Sequence, residues 1–287
     1  MIPGSFDYHR PASLDAAISL LASLGEEARV VAGGHSLIPM MKLRMAVPEH
    51  LIDLQDIDDL KGIAINAGTI TIGAMTTQAE LIASAELESA CPIIKETALL
   101  IADPQVRNVG TIGGNVANGD PGNDMPALMQ ALDAQYVLQG SGGSREVSAR
   151  DFYEAAYFTA IEDGEILTAV RFATPAAGHG YAYFKQKRKI GDYATAAAAV
   201  ILTIDGGTCS SASIALTNVG DTPLFAQAAG EALIGSSLDQ GAVAAAVEAA
   251  KAITDPVADG RGPAGFRTHI AGVMVGRAIA CAAERAN

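Results

Sequence analysis

Positive charge is scarce in this chain: 19 Lys plus Arg stand against 32 Asp plus Glu, a net of −13 over 287 residues. Nucleic acid is thereby excluded as the main partner, because backbone binding rests on counterion release by clustered Lys and Arg. Cysteine is equally sparse. Cys91, Cys209 and Cys281 lie far apart with no C-x-x-C, so the chain has no local frame for an iron–sulfur cluster or a zinc site. No metal is expected in it, and its thiols are expected to be free, as in a cytoplasmic protein. Long apolar runs are missing too. The longest, "ATAAAAVILTI" from Ala194 to Ile204, is too short to span a bilayer. The opening "MIPGSFDYHRP" has no basic flank before an apolar stretch, which reads as no secretory leader. The P-loop pattern G-x-x-x-x-G-K-S/T is absent, Gly-Lys never occurs, and no Rossmann unit is expected.

What is present is a globular composition, 49 % hydrophobic and 18 % charged, which excludes disorder at a length sufficient for two ordinary domains. Residues 1–60 read as strand, helix, strand, loop or helix, strand. Leu14, Ile18, Leu21 and Leu24 recur at helical spacing between Ser13 as N-cap and Gly25 as stop. "ARVVAGG" and "EHLIDL" are short strands around it. From 62 on, "GIAINAGTITIGAMTT" reads as a meander. A helical stretch through "TQAELIASAELESACPIIKETALLIA" follows, split in two at Pro92. "DMPALMQALDAQ" is a helix with Pro126 in its first turn, and "YVLQGSGGSREVSARDF" is a hairpin. A boundary falls in "ATPAAGHG", and beyond it the pattern predicts a sheet with helices on one face, two of its β-branched strands joined by a hairpin at "DGGT". The fold class is α+β, with domains expected at 1–60, 61–177 and 178–287.

Two glycine loops draw the functional question, "AGGHS" at 32–36 and "TIGGN" at 111–115. A serine hydrolase reading fails on the first. The nucleophile elbow needs G-x-S-x-G, and Ile38 stands where the last glycine belongs. His35 and Ser36 are neighbours in sequence, a poor geometry for a Ser–His bond. Glycine instead lets backbone amides converge on an anion. Ser36, Thr111 and Asn115 can add side-chain donors, and two such loops fit a pyrophosphate gripped from both sides. The plainer alternative is that both are tight turns.

"AGGHSLIPMMKLR" paired with "TIGGN" and "GDPGND" resembles the flavoprotein subunits of the molybdenum hydroxylases, and most closely the medium-subunit family of aerobic carbon monoxide dehydrogenases. The likeness runs through "LIADPQVRNVGTIGGN", "KRKIGDYATAAAAV" and "DGRGPAGFRTHIAGVM", hence over essentially the whole chain. It implies a two-subdomain FAD-binding fold of the vanillyl-alcohol oxidase type plus a C-terminal α+β domain. It also implies non-covalent FAD, contacted by Ala32, Gly33, Gly34, His35, Ser36 and Leu37 and by Gly110, Thr111, Gly113, Gly114, Asn115 and Asn118. Ile101, Ala102 and Val106 match apolar positions along the flavin or adenine. By the same resemblance Asp124 stands near the adenosine ribose, Leu167 near the adenine, Lys185 near the isoalloxazine, and Tyr193 over one face of that ring.

Each of these has a structural alternative: core packing for Ile101 and Leu167, a helix N-cap for Asp124, a loop contact for Tyr193, a wall position for His35. In "KQKRK", Lys187 to Lys189 are expected at the surface. The implied role is electron transfer with no catalytic residue in this chain. Molybdenum–copper and 2Fe–2S centres are expected only in a large and a small partner subunit, within a dimer of heterotrimers. A quinone-type acceptor and a peripheral place at the inner membrane face complete the expectation. The alternatives are the flavoprotein subunit of a hydroxylase acting on an aldehyde, purine or N-heterocycle, and a nucleotide-binding or scaffold protein without flavin.

Overall fold

Three main sheets follow one another along the chain in a computed structural model that describes residues 2–286; positions 1 and 287, the outer bounds of the expected first and last domains, lie outside it. The first is built from β1 (Asp7–His9), β2 (Ala28–Val31) and β3 (His50–Asp53), all parallel in the order β1-β3-β2, with α1 (Leu14–Leu24) and α2 (Leu37–Lys42) as crossovers. Ser13 caps α1 by accepting from the Ala16 amide, and Gly25 ends it at φ 59°, as the spacing predicts. Ala17 and Ile18 of that helix are buried with Ala28, Ile52 and Leu54.

The second sheet, antiparallel, runs β4 (Ile63–Asn66), β5 (Thr69–Gly73), β10 (Ile166–Ala173), β6 (Gln135–Gly140), β7 (Gly143–Ser148). A small ribbon, β8 (Tyr153–Ala155) with β9 (Phe158–Thr159), precedes β10. Between β5 and β6 lie α3 (Gln78–Ala83), α4 (Ala85–Ala90), α5 (Pro92–Leu100), α6 (Pro104–Arg107), α7 (Ile112–Ala117) and α8 (Asp124–Ala131). The helical stretch thus breaks at Ser84 as well as before Pro92. The Ser84 hydroxyl accepts from the Leu87 amide and so opens a new helix, the local competition that makes serine a cap rather than a helix interior.

The third sheet is antiparallel, β11 (Gly180–Gln186), β12 (Ala196–Asp205), β13 (Thr208–Thr217), β14 (Leu224–Phe225), with Gly206 and Gly207 at φ 56° and 82° in the expected hairpin turn. After it come α9 (Gln227–Glu231), α10 (Gln240–Ala252) and α11 (Ala264–Arg285). Helices cover both faces, not the single face expected. Ala196, Ala198 and Val200 pack with α10 and α11, while Ala197 and Ala199 join the core of the second sheet beside Leu128 and Met129 of α8. A strand buried on both sides has no polar alternation, which is why "AAAAV" at 196–200 is apolar throughout. Its small side chains allow close approach from either face.

Gly260, Gly262 and Gly265 do have G-x-G-x-x-G spacing, but no strand precedes them. They form a turn, with the Asp259 and Gly262 backbones bridged, that leads into α11, and none of the three lines the cavity described below, so context rather than letter pattern excludes a Rossmann unit. The cysteines are free, and burial pushes the Cys91 thiol up to about 12, leaving it protonated and inert. Among the described residues no helix is long and apolar enough to cross a membrane.

Arg267 of α11 ties the third sheet to its loops. Only 4 % exposed, it donates to the carbonyls of Thr195 (3.2 Å), Val257 (2.7 Å) and Asn218. Arg267→Leu removes the donor from all three carbonyls, of which the Thr195 bond is the fully buried one. At about 1–3 kcal/mol for a buried group left unpaired, the variant is expected to lose about 1–3 kcal/mol in urea unfolding of the full chain.

Candidate functional site

A cavity of about 590 Å³ opens where the three sheets meet, within the roughly 300–1,000 Å³ usual for cofactor sites. All nineteen residues singled out from the sequence line it: Ala32 to Leu37, Ile101, Ala102, Val106, Gly110, Thr111, Gly113, Gly114, Asn115, Asn118, Asp124, Leu167, Lys185 and Tyr193.

The two glycine loops play different parts. "AGGHS" leaves β2 and turns into α2 with Gly34 at φ 71°, a backbone state that glycine takes without strain. Its amides, from Ala32 through Leu37, find no hydrogen-bond partner among the described residues. In "TIGGN" most amides are already used. Ile112 donates to the Thr76 carbonyl (2.9 Å), Gly113 to Ala74 (2.8 Å), Gly114 to the Thr111 hydroxyl (3.0 Å) and Asn115 to the Thr111 carbonyl (3.1 Å). The two loops therefore differ in what they leave free: the unpaired backbone amides lie in the first loop, with Thr111 alone in the second. Asn115 is partly structural, since its side-chain oxygen accepts from the Met125 amide (3.2 Å) and its carbonyl from Asn123 (2.7 Å), which sets the start of α8.

Two glycines are required by packing and not by ligand clearance. A Cβ on Gly33 would lie 2.3 Å from the Val109 carbonyl oxygen, and one on Gly113 would lie 2.5 Å from Ala74 Cβ. Gly33 thus joins the loops directly, backbone against backbone.

Asp124 begins α8, with Asn123 at the N-cap position, so the capping alternative does not hold. Its carboxylate instead accepts from Lys185 Nζ (2.7 Å) and from the Tyr183 hydroxyl (2.7 Å), and Tyr183 also meets Thr217 Oγ1 at 3.2 Å. The Lys185 and Asp124 side chains are 1 % and 5 % exposed. Burial pushes the Asp124 carboxyl up against the opposing pull of Lys185 and then Tyr183. Lys185 Nζ has one further acceptor, the Leu100 carbonyl at 3.3 Å. Asp124 and Lys185, expected near different parts of a dinucleotide, form one ion pair in the cavity wall. Lys187 is half-buried, its ammonium disfavoured by burial and then by Lys185, whereas Arg188 and Lys189 are exposed as expected.

Ile101 and Leu167 are both core and wall, at 8 % and 5 % exposure, so their alternatives coexist. Ala102 takes φ 42° beneath Gly191 of the "KIGDY" loop. His35 is exposed on the rim and its ring makes no hydrogen bond among the described residues, consistent with a wall position. Sequence reasoning missed Gln78, Met75, Tyr157 and Asp192, which also line the cavity. Gln78 is 1 % exposed and neither of its amide atoms has a partner, an orphaned polar group turned over to whatever the cavity holds. Nothing in "TTQAEL" marks it. Asp192 adjoins Tyr193 in "GDYAT" and was within reach of the same motif.

An apolar cleft with unpaired amides at one wall and an unpartnered buried carboxamide fits a dinucleotide cofactor with an anionic middle. Two family models cover the chain: "FAD binding domain in molybdopterin dehydrogenase" over residues 4–175 and "CO dehydrogenase flavoprotein C-terminal domain" over residues 181–282. Fold and site together define an FAD-binding flavoprotein subunit of the molybdenum hydroxylase class. The chain is 64 % identical to the carbon monoxide dehydrogenase medium chain of Afipia carboxidovorans, covering 100 % of this chain and 99 % of that one. It is 48 % identical to the medium chain from Hydrogenophaga pseudoflava, covering 99 % of both. A solved structure of reconstituted CO dehydrogenase from Oligotropha carboxidovorans matches with a TM-score of 0.99 at 64 % identity over 100 % of both chains. The chain belongs to the carbon monoxide dehydrogenase medium-chain family.

Proposed function

We propose that the cavity carries FAD with its pyrophosphate on the amides of Ala32 to Leu37, and that the chain is the electron exit of a carbon monoxide dehydrogenase complex. The single observation behind this is the row of unpaired amides on residues that line a cleft shared by all nineteen. Ser36 and the Thr111 amide add donors on either side. Gln78 meets a polar edge of the cofactor, and Ile101, Val106 and Leu167 contact its rings. The Asp124–Lys185 pair addresses the ribityl–isoalloxazine end, because Tyr193 stands against Gly122, two residues from Asp124. Bound flavin accepts two electrons and releases them singly or in pairs, which suits a junction between iron–sulfur clusters and a quinone-type acceptor. The protein's part is to bind, orient and shield. Domain limits at 1–60, 61–177 and 178–287 are part of this reading, as are a dimer of heterotrimers and a cytoplasmic complex resting peripherally on the membrane.

The test is a visible absorption spectrum of the isolated chain and of the complex assembled with its two partner subunits. A flavin spectrum in either form is expected. Absence of colour in both, with no FAD taken up on mixing, would overturn the reading. Gly114→Val probes the loops more closely. Its Cβ would stand 3.0 Å from Thr111 Oγ1 and 3.6 Å from Ala32 Cβ, side-chain atoms of the two loops, so a branched side chain here adds bulk in the gap between them. FAD affinity is expected to fall at least about tenfold, equivalent to about 1.4 kcal/mol, with the circular dichroism spectrum unchanged. Full occupancy in Gly114→Val would refute the pyrophosphate assignment.

A further inference from the structure

The mouth of the cavity carries two tyrosines from different parts of the chain, Tyr157 from the β8–β9 ribbon and Tyr193 from the loop between β11 and β12. Tyr157 sits at φ 64°, a backbone state a bulky residue rarely accepts unless its surroundings hold it there. What holds it is the segment 119–120. The Tyr157 amide donates to the Gly119 carbonyl (2.7 Å) and its hydroxyl to Asp120 Oδ2 (3.2 Å). The other Asp120 oxygen, Oδ1, accepts from the Gly122 amide (2.9 Å) and so shapes the turn "DPG". That turn is the seat of Tyr193: a Cβ on Gly122 would lie 2.8 Å from Tyr193 Cδ1, so the ring rests against bare backbone. On its C-terminal side the Tyr193 segment is fastened to the same turn through Asn218. The Asn218 amide donates to the Pro121 carbonyl (3.0 Å) and its side chain to the Ala194 carbonyl (2.5 Å). The guanidinium of Arg261 lies 5.8 Å from the Tyr193 ring centre.

We propose that Asp120 is a positioning residue, a two-armed clamp whose one oxygen fixes Tyr157 and whose other fixes the turn under Tyr193, setting both rings across the cavity mouth. This rests on the reading of the cavity as the FAD site. Burial first, and then the Asp120 charge, raises both phenols above their ordinary range, so each stays a neutral ring. With the clamp intact, Tyr193 is held for stacking on a bound ring system without spending conformational entropy on that contact. Without it, both tyrosines gain freedom while the body of the site is untouched.

The experiment compares wild type, Asp120→Ala, Asp120→Asn and Tyr157→Phe in the assembled complex. FAD release after dilution into excess apo-flavoprotein is expected to be about three- to tenfold faster in Asp120→Ala, the scale of one lost aromatic stack, with a matching gain in bound-flavin fluorescence. Asp120→Asn keeps an acceptor oxygen for the Gly122 amide and is expected to recover most of the wild-type fluorescence. Tyr157→Phe loses one arm only and should fall between. Tetranitromethane nitration of Tyr157 and Tyr193 in the full chain, read by mass spectrometry, supplies an arm that needs no flavin, and it should rise in Asp120→Ala. Wild-type release, fluorescence and nitration in Asp120→Ala would overturn the clamp. A wild-type complex without flavin absorbance would refute the FAD reading instead, and nitration alone would then decide for or against the clamp.

Discussion

Lys185→Met is expected to destabilise the chain by about 3–5 kcal/mol, the usual cost of removing one partner from a buried ion pair. The Asp124 carboxylate would be left at 5 % exposure with only the Tyr183 hydroxyl as a partner. It would then either remain charged without a counter-ion or take up a proton, and urea unfolding of the full chain reads the sum. The double variant Asp124→Leu/Lys185→Met separates structure from binding. Replacing both charges by apolar groups removes the burial penalty along with the attraction, so stability is expected to return to within about 1–2 kcal/mol of wild type. FAD binding is not expected to return, because the ammonium that faces the cavity is gone. If FAD affinity recovered together with stability, the pair would be a purely structural tie between α8 and β11.

Gly33→Ala carries the second large effect. Its methyl group would lie 2.3 Å from the Val109 carbonyl oxygen and 2.8 Å from the Gly110 Cα, both backbone atoms that no side-chain rotation can move. The two glycine loops would have to part. Overpacking of this kind costs about 1–3 kcal/mol, and here the strain falls on the wall that presents the unpaired amides. Loss of FAD from the assembled complex is expected together with a lowered melting temperature. Gly68→Ala is the control. Gly68 has φ 78° with nothing within 4 Å of a Cβ, so it tests left-handed strain alone, at about 1–2 kcal/mol, and should leave FAD content unchanged. Equal FAD loss in both variants would mean that general instability, not loop separation, empties the site.

Much of the architecture was legible from local chemistry. Ser13 and Gly25 bound α1 because a hydroxyl satisfies a free amide at one end and glycine tolerates positive φ at the other. The "DGGT" hairpin and the Pro126 helix start follow from equally local rules. The wall residues of the cavity came from paired motifs, which name positions without giving their contacts. Those contacts depend on residues far apart in the chain. The Lys185–Asp124 pair spans 61 positions and the Tyr157–Asp120 bond 37, distances over which no periodicity or propensity carries information.

By itself the sequence determined the α+β class, most of the order of the elements, the family, and nineteen of the residues that line the cavity, since each rests on short-range stereochemistry or motif. Only the tertiary structure decided which amides are unpaired, that Gly33 serves loop-to-loop packing, that helices cover both faces of the alanine strand, and that Asp124 and Lys185 are one unit. The physical reason is the same in each case. Hydrogen-bond satisfaction and close packing are properties of neighbours in space, and the fold alone makes distant residues neighbours.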